Sequence, residues 1–364
     1  MSKSIKIAAF IFTCFTYITG SSQQLNDFFK NDPSIDFKVN EIFNSLNDTT
    51  RVAQMIVTSA GELGKPKSTV YKLAKQNKIG GVVFLKGTKA DHKKMIDHLN
   101  AISESQNQLP FIFSIDAEPS LFNSRLKGSQ PILNTIDITT KKESDSIARI
   151  INNDLLQIGF RQNFAPVADV SPNNEAIKNR SFGSDKRKVI ELTKQFIETT
   201  QEQGIIATAK HFPGHGLVKG DTHKKSVYID GELQELDVYP PLIEAGVLSI
   251  MMAHITIKNN PTYNTNGLPA SCSRNIVTGL LKEKLGFKGL IITDALNIMK
   301  AVNIIENAPL LASKAGNDML LMPINETKTI NSILNEIQKD KAYKEQVYQS
   351  VKKIIRLKVC LGLI

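Results

Sequence analysis

The stretch IIATAKHFPGHG, residues 205–216, opens with an apolar run and then turns abruptly to Lys210 and His211. A short run of apolar and β-branched residues predicts a buried strand, here 205–209, and the proline and glycines that follow predict a sharply turned loop. The stretch therefore indicates a strand whose C-terminal end carries ionisable side chains.

Similar apolar runs alternate with amphipathic stretches from Arg51 to Pro323. That rhythm is typical of repeated βα units around a parallel sheet. The predicted strands are eight: 55–58, 81–85, 111–115, 163–168, 205–209, 250–253, 290–293 and 319–321. This number favours an α/β fold closed into a single (β/α)₈ TIM-type barrel, and no glycine-rich fingerprint follows the first strand as an open dinucleotide-binding sheet would require.

Helical spacing of apolar residues fills the intervals between the predicted strands. The clearest patterns cover 147–158, 189–196 and 276–285. Two more, 330–337 and 347–354, follow the last predicted strand. We expect these C-terminal helices to pack on the outside of the barrel.

Composition places the chain among soluble globular proteins. Of its 364 residues 41% are hydrophobic and 22% are charged, which is enough to bury a large core. The net charge of +10 comes from scattered Lys and Arg, so it favours solubility over nucleic-acid binding. Cys272 and Cys360 are too few for a disulfide framework, and we expect both to be free and buried.

The N-terminus has a basic start and an uncharged segment from Ile7 to Ile18. This pattern predicts an export signal over 1–22, then an extension over 23–40 and the barrel over 41–364. A retained membrane anchor and a lipid on Cys14 are the alternatives. We expect an exported protein, periplasmic, extracellular or attached to the envelope, with no stable membrane span after signal removal.

Polar residues directly follow four of the predicted strands. They are Asp116, the pair Lys210 and His211, His254 and Asp294. In a parallel barrel the C-terminal ends of the strands meet at one rim, where active sites form. The sequence therefore predicts a polar site at that rim, although any one of these residues alone could be a helix cap or a satisfied core group.

A metal site is the rival interpretation of the histidines. His211 and His215 are four apart, which suits zinc only on a helix. Pro213 and Gly214 lie between them and disfavour a helix, and Phe212 stands where a zinc protease has its glutamate. We therefore expect neither a metal nor a cofactor.

The loop after this strand carries a second pair of ionisable residues, Asp221 and His223. An aspartate two residues before a histidine can reach the imidazole and support its protonated form. Glycine-rich loops above a barrel mouth can bring such a group to a substrate. An ordinary surface loop with a chance Asp and His is the alternative.

With these motifs in place, the sequence resembles glycoside hydrolase family 3, and within it the single-domain β-N-acetylhexosaminidase branch. The resemblance runs from about Glu41 to Ile364. Its matching segments are NFAPVADV at 163–170, NRSFG at 179–183, KHFPGHG at 210–216 with DTH at 221–223, and ITDAL at 292–296.

The resemblance implies a retaining double displacement. Asp294 would attack the anomeric carbon, and His223 would protonate the leaving oxygen and then activate water, supported by Asp221. Larger family members bring this acid/base from a second domain, and since the chain ends at Ile364 we expect the loop pair to supply it.

Sugar-binding residues are also implied by the resemblance. Asp116, Arg180, Lys210 and His211 match positions that hold sugar hydroxyls, and we group His254 with them as substrate-binding. One departure lies beside Asp116: Pro119-Ser120 stands where the family usually has glycine, or an aromatic residue followed by glycine, and the segment is about one residue longer before Arg125.

The expected partner is a glycan containing β-linked N-acetylglucosamine, derived from peptidoglycan or a related polymer, and the protein is expected to be a monomer. Three alternatives stay open: a β-glycosidase of other sugar specificity, a non-catalytic glycan-binding relative, and a lyase that uses Lys210 as a Schiff-base nucleophile.

Overall fold

The computed structural model describes residues 24–171, 174–221 and 226–364. Its centre is an eight-stranded parallel sheet. In chain order its strands β1 to β8 are Ile56–Ala60, Gly81–Phe84, Ile112–Ile115, Gln162–Asn163, Ile206–Phe212, Ser249–Met252, Leu290–Thr293 and Leu320–Leu321.

The sheet closes on itself. Each strand from β1 to β6 pairs with the next in the chain, and β8 pairs with β1 through Ile56 and Leu320. A parallel bridge between Ile292 and Met319 joins β7 to the start of β8. The predicted (β/α)₈ barrel is therefore confirmed.

Twelve α-helices surround the barrel within the described ranges, and the first four precede or follow the first two strands. In chain order α1 to α12 are Pro33–Ser45, Asp48–Ala53, Lys67–Lys75, Lys89–Ser105, Phe122–Arg125, Lys141–Ile158, Lys186–Glu202, Tyr239–Glu244, Lys300–Asn303, Ala308–Ala315, Glu326–Ile337 and Lys341–Cys360. A helix of π-type hydrogen bonding, Asn275–Lys284, fills the interval before β7.

Burial explains why these segments fold as they do. The strands are buried along their length because side chains on one face fill the barrel and those on the other face meet the helices. The amphipathic helices turn one face inward, as α6 does with Ile147, Ile151 and Leu155. The predicted C-terminal helices are confirmed as α11 and α12, which pack on each other outside the barrel.

The N-terminal part of the described chain packs on the last helix. α1 buries Ile35, Val39 and Phe43 and contacts α12. It begins at Pro33 behind an Asp32 N-cap and runs through the predicted boundary at residues 40–41. The predicted signal over 1–22 and Cys14 lie outside the described residues.

Two strands end three or more residues away from their predicted ends, whereas the bounds of the other six lie within two residues of the prediction. The predicted strand 163–168 is regular only over Gln162–Asn163, and the extended chain beyond it contains Pro166, which has no N–H to give to a ladder. β5 instead runs on to Phe212, so Lys210 and His211 lie within the strand rather than after it. The loop therefore begins at Pro213.

Cys272 and Cys360 are both free and buried, as predicted. No helix within the described ranges is long and apolar enough to cross a membrane.

Candidate active site

A cavity of about 440 Å³ opens at the C-terminal ends of the barrel strands. Five of the predicted site residues line it: Asp116, Arg180, Lys210, His211 and Asp294. The remaining wall is largely apolar and includes Leu63, Val83, Leu121, Ile298 and Met299. The topology thus brings side chains from β3, β5 and β7 into one pocket of a size suited to a small sugar.

Asp294 follows β7 directly and is half-buried. Its Oδ1 accepts a hydrogen bond from the N–H of Ala295 at 2.7 Å, which orients the carboxyl at the strand tip. Burial alone would raise the pKa of Asp294, but the neighbouring imidazoles of His211 and His254, the Ala295 amide and Lys210 bring it below its ordinary value. The group is therefore an anion at neutral pH.

Lys210 reaches the pocket from β5 and is only 2% exposed. Its Nζ lies 2.8 Å from Asp116 Oδ1 and 2.5 Å from Glu118 Oε1. Arg180 donates two hydrogen bonds to the same Glu118, from Nε to Oε2 at 2.8 Å and from Nη2 to Oε1 at 2.7 Å. Two cations and two carboxylates thus form one connected network along the pocket wall.

Within this network, Glu118 and the two cations, Lys210 and Arg180, keep one another ionised. Burial would raise the pKa of Glu118, yet Arg180 and Lys210 keep it far below its usual range. Burial would likewise lower the pKa of Lys210, and the facing carboxylates of Asp116 and Glu118 raise it instead. A Schiff-base nucleophile needs a free amine, so the paired ammonium disfavours the lyase alternative.

His211 is held in place by Asp169, a buried aspartate that was not among the predicted site residues. Its Nδ1 lies 2.7 Å from Asp169 Oδ2, and Asp169 Oδ1 accepts the backbone N–H of both His211 and His215. Although burial acts in the opposite direction, the imidazole of His211 helps to keep the pKa of Asp169 below its ordinary value. His215 also lines the cavity, and burial lowers its pKa.

His254 is buried to 1% exposure and is not among the residues that line the cavity. Its Nδ1 lies 2.7 Å from the Ser271 hydroxyl. Burial lowers the pKa of His254. Its effect reaches the site through Asp294, whose carboxylate it helps to keep ionised, and its contact with substrate stays a prediction.

The loop that begins at Pro213 is anchored at its base by Glu235. The carboxyl group of Glu235 accepts hydrogen bonds from the N–H groups of Val170, Gly216 and Leu217. Burial, reinforced by the charge of Asp169, raises the pKa of Glu235 to about 8.

Of the two predicted loop residues, Asp221 and His223, the structure describes only the first. Asp221 is half-buried at the end of the described part of the loop and is not among the residues that line the cavity. His223, the predicted acid/base, lies outside the described residues. The geometry of this pair therefore stays a prediction.

The Pro119-Ser120 departure fits the fold without disturbing the network. The Ser120 hydroxyl donates to the Asn179 carbonyl at 2.7 Å and accepts the N–H of Thr135 at 2.8 Å. It thereby ties the segment after Glu118 to the one that carries Arg180. Leu121 and Arg125, which follow, both line the cavity.

Sequence reasoning missed Glu118, Asp169 and Glu235 as site residues. Asp169 directly follows the predicted strand 163–168, so the strand-end rule applied to the other four strands would have found it. Glu118 lies two residues beyond a strand-end aspartate, and Glu235 lies in a turn with no local signal. Within the described ranges, no group of three or more His, Cys, Asp or Glu side chains could hold a metal ion.

Comparison with known proteins shows the family of this sequence. The sequence model of the glycosyl hydrolase family 3 N terminal domain matches residues 48–357. A beta-hexosaminidase A from Pseudoalteromonas piscicida is 28% identical over 78% of this chain and 54% of its own length. A beta-hexosaminidase from Vibrio cholerae serotype O1 is 30% identical over 67% of this chain and 75% of its own length.

A solved structure supports the same assignment. The glycoside hydrolase family 3 beta-N-acetylglucosaminidase from Paenibacillus sp. superposes with a TM-score of 0.80 at 26% identity, covering 88% of this chain and 63% of that one. The chain thus spans about half the length of the Pseudoalteromonas relative and somewhat more of the Paenibacillus one.

Proposed function

The chain belongs to glycosyl hydrolase family 3, and from that premise we propose that it is a retaining β-N-acetylhexosaminidase that releases terminal β-linked N-acetylglucosamine. One observation carries the proposal. A strand-tip carboxylate with a lowered pKa, Asp294, shares a cavity with Asp116, Lys210 and Arg180. Buried Glu118 joins Lys210 and Arg180 into one ion-paired network.

Asp294 is the nucleophile in this proposal. Its carboxylate attacks the anomeric carbon, the bond from that carbon to the leaving oxygen breaks, and a covalent glycosyl-enzyme forms. A carboxylate serves here only if it stays ionised inside a partly buried pocket. The surrounding imidazoles, the Ala295 amide and Lys210 meet that condition.

The network opposite supplies the sugar-binding groups. Asp116 presents carboxylate oxygens to the cavity, and Lys210 and Arg180 present N–H donors whose charges are already balanced by Glu118. Hydroxyl groups of a sugar can both donate to the carboxylate and accept from the cations. The proposed site therefore binds a neutral polyol without leaving a buried charge unpaired.

His223 and Asp221 provide proton transfer in the proposal. The imidazole protonates the leaving oxygen and later removes a proton from the water that attacks the glycosyl-enzyme, while Asp221 supports the imidazolium. The loop base that Asp169 and Glu235 hold supports this assignment, because it fixes where the loop leaves the barrel.

The choice of sugar rests on the relatives, which are named as hexosaminidases and as an N-acetylglucosaminidase. We further propose a peptidoglycan-derived or related glycan as the natural substrate, and export directed by residues 1–22. The net charge of +10 favours attraction to an acidic cell-wall polymer.

A panel of aryl β-glycosides of N-acetylglucosamine, N-acetylgalactosamine, glucose and xylose tests the proposal. We expect the N-acetylglucosaminide to have the highest kcat/KM, with the β-anomer released first when the reaction is followed by NMR. Preferential cleavage of the glucoside or xyloside would reassign the sugar specificity. Sugar binding without hydrolysis of any member would indicate the non-catalytic relative.

A further inference from the structure

Glu235 lies in the turn that leads to α8 and is only 4% exposed. No lysine or arginine of the described ranges lies within ion-pair distance of its carboxyl group. A buried carboxyl group is costly in either protonation state unless donors satisfy its oxygens, so its hydrogen-bond partners must account for its position.

Those partners are three backbone N–H groups from two separate segments. Oε1 accepts from Val170 at 2.7 Å and from Gly216 at 3.2 Å, and Oε2 accepts from Leu217 at 3.1 Å. Val170 directly follows Asp169, the carboxylate that orients His211. Gly216 and Leu217 belong to the loop that leads to Asp221 and His223. One side chain therefore joins the strand-tip segment to the loop base.

Two glycines of the loop, Gly214 and Gly216, pack closely against the Glu235 side chain. A Cβ on Gly214 would lie 2.5 Å from Glu235 Cβ, and Gly214 has a φ of +126°, which other residues rarely adopt. A Cβ on Gly216 would lie 2.1 Å from the Val170 carbonyl oxygen and 3.0 Å from Glu235 Oε1. The loop backbone thus packs directly against Glu235, with no room for a side chain between them.

We propose that Glu235 is a positioning residue that sets the placement of the proton-transfer loop by fixing its base to the segment carrying Asp169. The proposal deepens the proposed function and rests on it. Glu235 is not among the residues that line the cavity. It acts through the position of the loop, so its loss should weaken proton transfer to the leaving group more than it weakens sugar binding.

The test compares Glu235→Gln and Glu235→Ala with the parent enzyme on two N-acetylglucosaminides, one with an activated aryl leaving group and one with an alkyl leaving group. We expect Glu235→Ala to lower kcat on the alkyl glycoside by roughly 100-fold and on the activated one by less than about 10-fold, with KM little changed. Glu235→Gln keeps one carbonyl oxygen as an acceptor and should lie between the parent and Glu235→Ala. Glu232→Ala is the matched control, because it removes an exposed carboxylate from the same turn.

A double-mutant cycle with His223→Ala supplies the sharper criterion. If Glu235 works by placing His223, its substitution should cost little further activity once His223 is gone. Losses that multiply, or equal losses on both glycosides, would overturn the proposal.

Hydrogen exchange gives a readout that needs no activity. Peptides covering residues 213–221 should lose amide protection in Glu235→Ala and keep it in Glu232→Ala. Unchanged protection in Glu235→Ala, with the melting temperature retained, would also overturn the anchoring claim. A parent enzyme that cleaves no glycoside would refute the proposed function, while the exchange experiment would still decide whether Glu235 holds the loop.

Discussion

Each end of the barrel buries a lysine, and the two lysines differ in their partners and in the direction of their pKa shifts. At the C-terminal mouth, Lys210 faces Asp116 and Glu118, and its pKa is raised. At the opposite end, Lys358 of α12 is fully buried, and its Nζ donates to the Gln54 amide oxygen at 2.6 Å and to the Gly80 carbonyl. Burial lowers the pKa of Lys358 to about 7.

This difference indicates that the buried lysine at the mouth serves the cavity, whereas the one at the base does not line that cavity and costs stability. At the mouth the opposite charges are assembled around a cavity, so a ligand meets cations that are already desolvated and balanced. At the base a lysine without a carboxylate partner among the described residues is a burden on folding. Substitutions at the mouth should therefore change activity, and substitution of Lys358 should change stability alone.

The largest effect is expected from Asp294→Asn. The amide keeps the shape of the carboxyl but cannot form the glycosyl-enzyme, so kcat/KM on an aryl N-acetylglucosaminide should fall on the order of 10⁴-fold or more. The melting temperature should stay close to that of the parent, because Asp294 carries no ion pair within the described residues. Substantial remaining activity would exclude Asp294 as the nucleophile.

His223→Ala should come next. General acid catalysis contributes roughly 10²- to 10⁴-fold, so we expect a loss in that range on an alkyl glycoside and a much smaller loss on a substrate with an activated aryl leaving group. Measured kcat values on both substrates decide the matter. Equal losses would argue against an acid role and leave the mouth without an identified proton donor.

Glu118→Gln breaks the network at its centre. The substitution leaves Lys210 and Arg180 partly uncompensated in a buried site, so we expect a loss of about 3 kcal/mol in the free energy of unfolding and a raised KM. Because the folded pKa of Glu118 lies below its ordinary 4.5, this stabilisation is complete above that pH and is lost as the pH falls below it.

Chemical denaturation at pH 7 and at progressively lower pH measures this effect. The difference in the free energy of unfolding between parent and variant should become smaller in acid. Glu104→Gln, at an exposed position of α4, is the charge-matched control. A variant as stable as the parent at pH 7 would show that the network does not contribute as described.

The smallest effect is expected at the far end of the barrel. Lys358→Met removes a buried amine whose protonation costs folding energy, so the variant should be more stable than the parent by about 2 kcal/mol at pH 6. Because the folded pKa of about 7 lies below the ordinary 10.5, the penalty is complete below pH 7 and disappears as the pH rises to 10.5.

Unfolding measured at pH 6 and pH 9.5 checks this prediction, with Lys341→Met as a control at an exposed position of the same helix. Activity should be unchanged. A destabilised variant at pH 6 would mean that the bonds to Gln54 and Gly80 outweigh the cost of burying the charge.

The two ends of the barrel also differ in how far their residues could be predicted from the sequence. Strand periodicity located all eight strands, and the strand-end rule placed Asp116, Lys210 and Asp294 in one pocket, because parallel strands bring their C-terminal ends to the same rim. The C-terminal ends predicted for the strands at 163–168 and 205–209 were wrong by three or more residues, because the proline interrupts one ladder and pairing with β6 extends the other.

Contacts between residues distant in sequence could not be predicted. Glu118 meets Arg180 62 residues away, and Glu235 meets Val170 65 residues away. Lys358 meets Gln54 across 304 residues. No local pattern encodes such a contact, since the closing of the barrel and the packing of α12 bring these residues together.

Trapping the covalent intermediate tests the central claim most directly. A 5-fluoro N-acetylglucosaminyl fluoride should form a glycosyl-enzyme that hydrolyses slowly, and intact mass followed by peptide mapping should place one sugar on Asp294. The label should be absent from Asp294→Asn. An active enzyme that takes no label, or one labelled on Asp116 or Glu118 instead, would contradict the account.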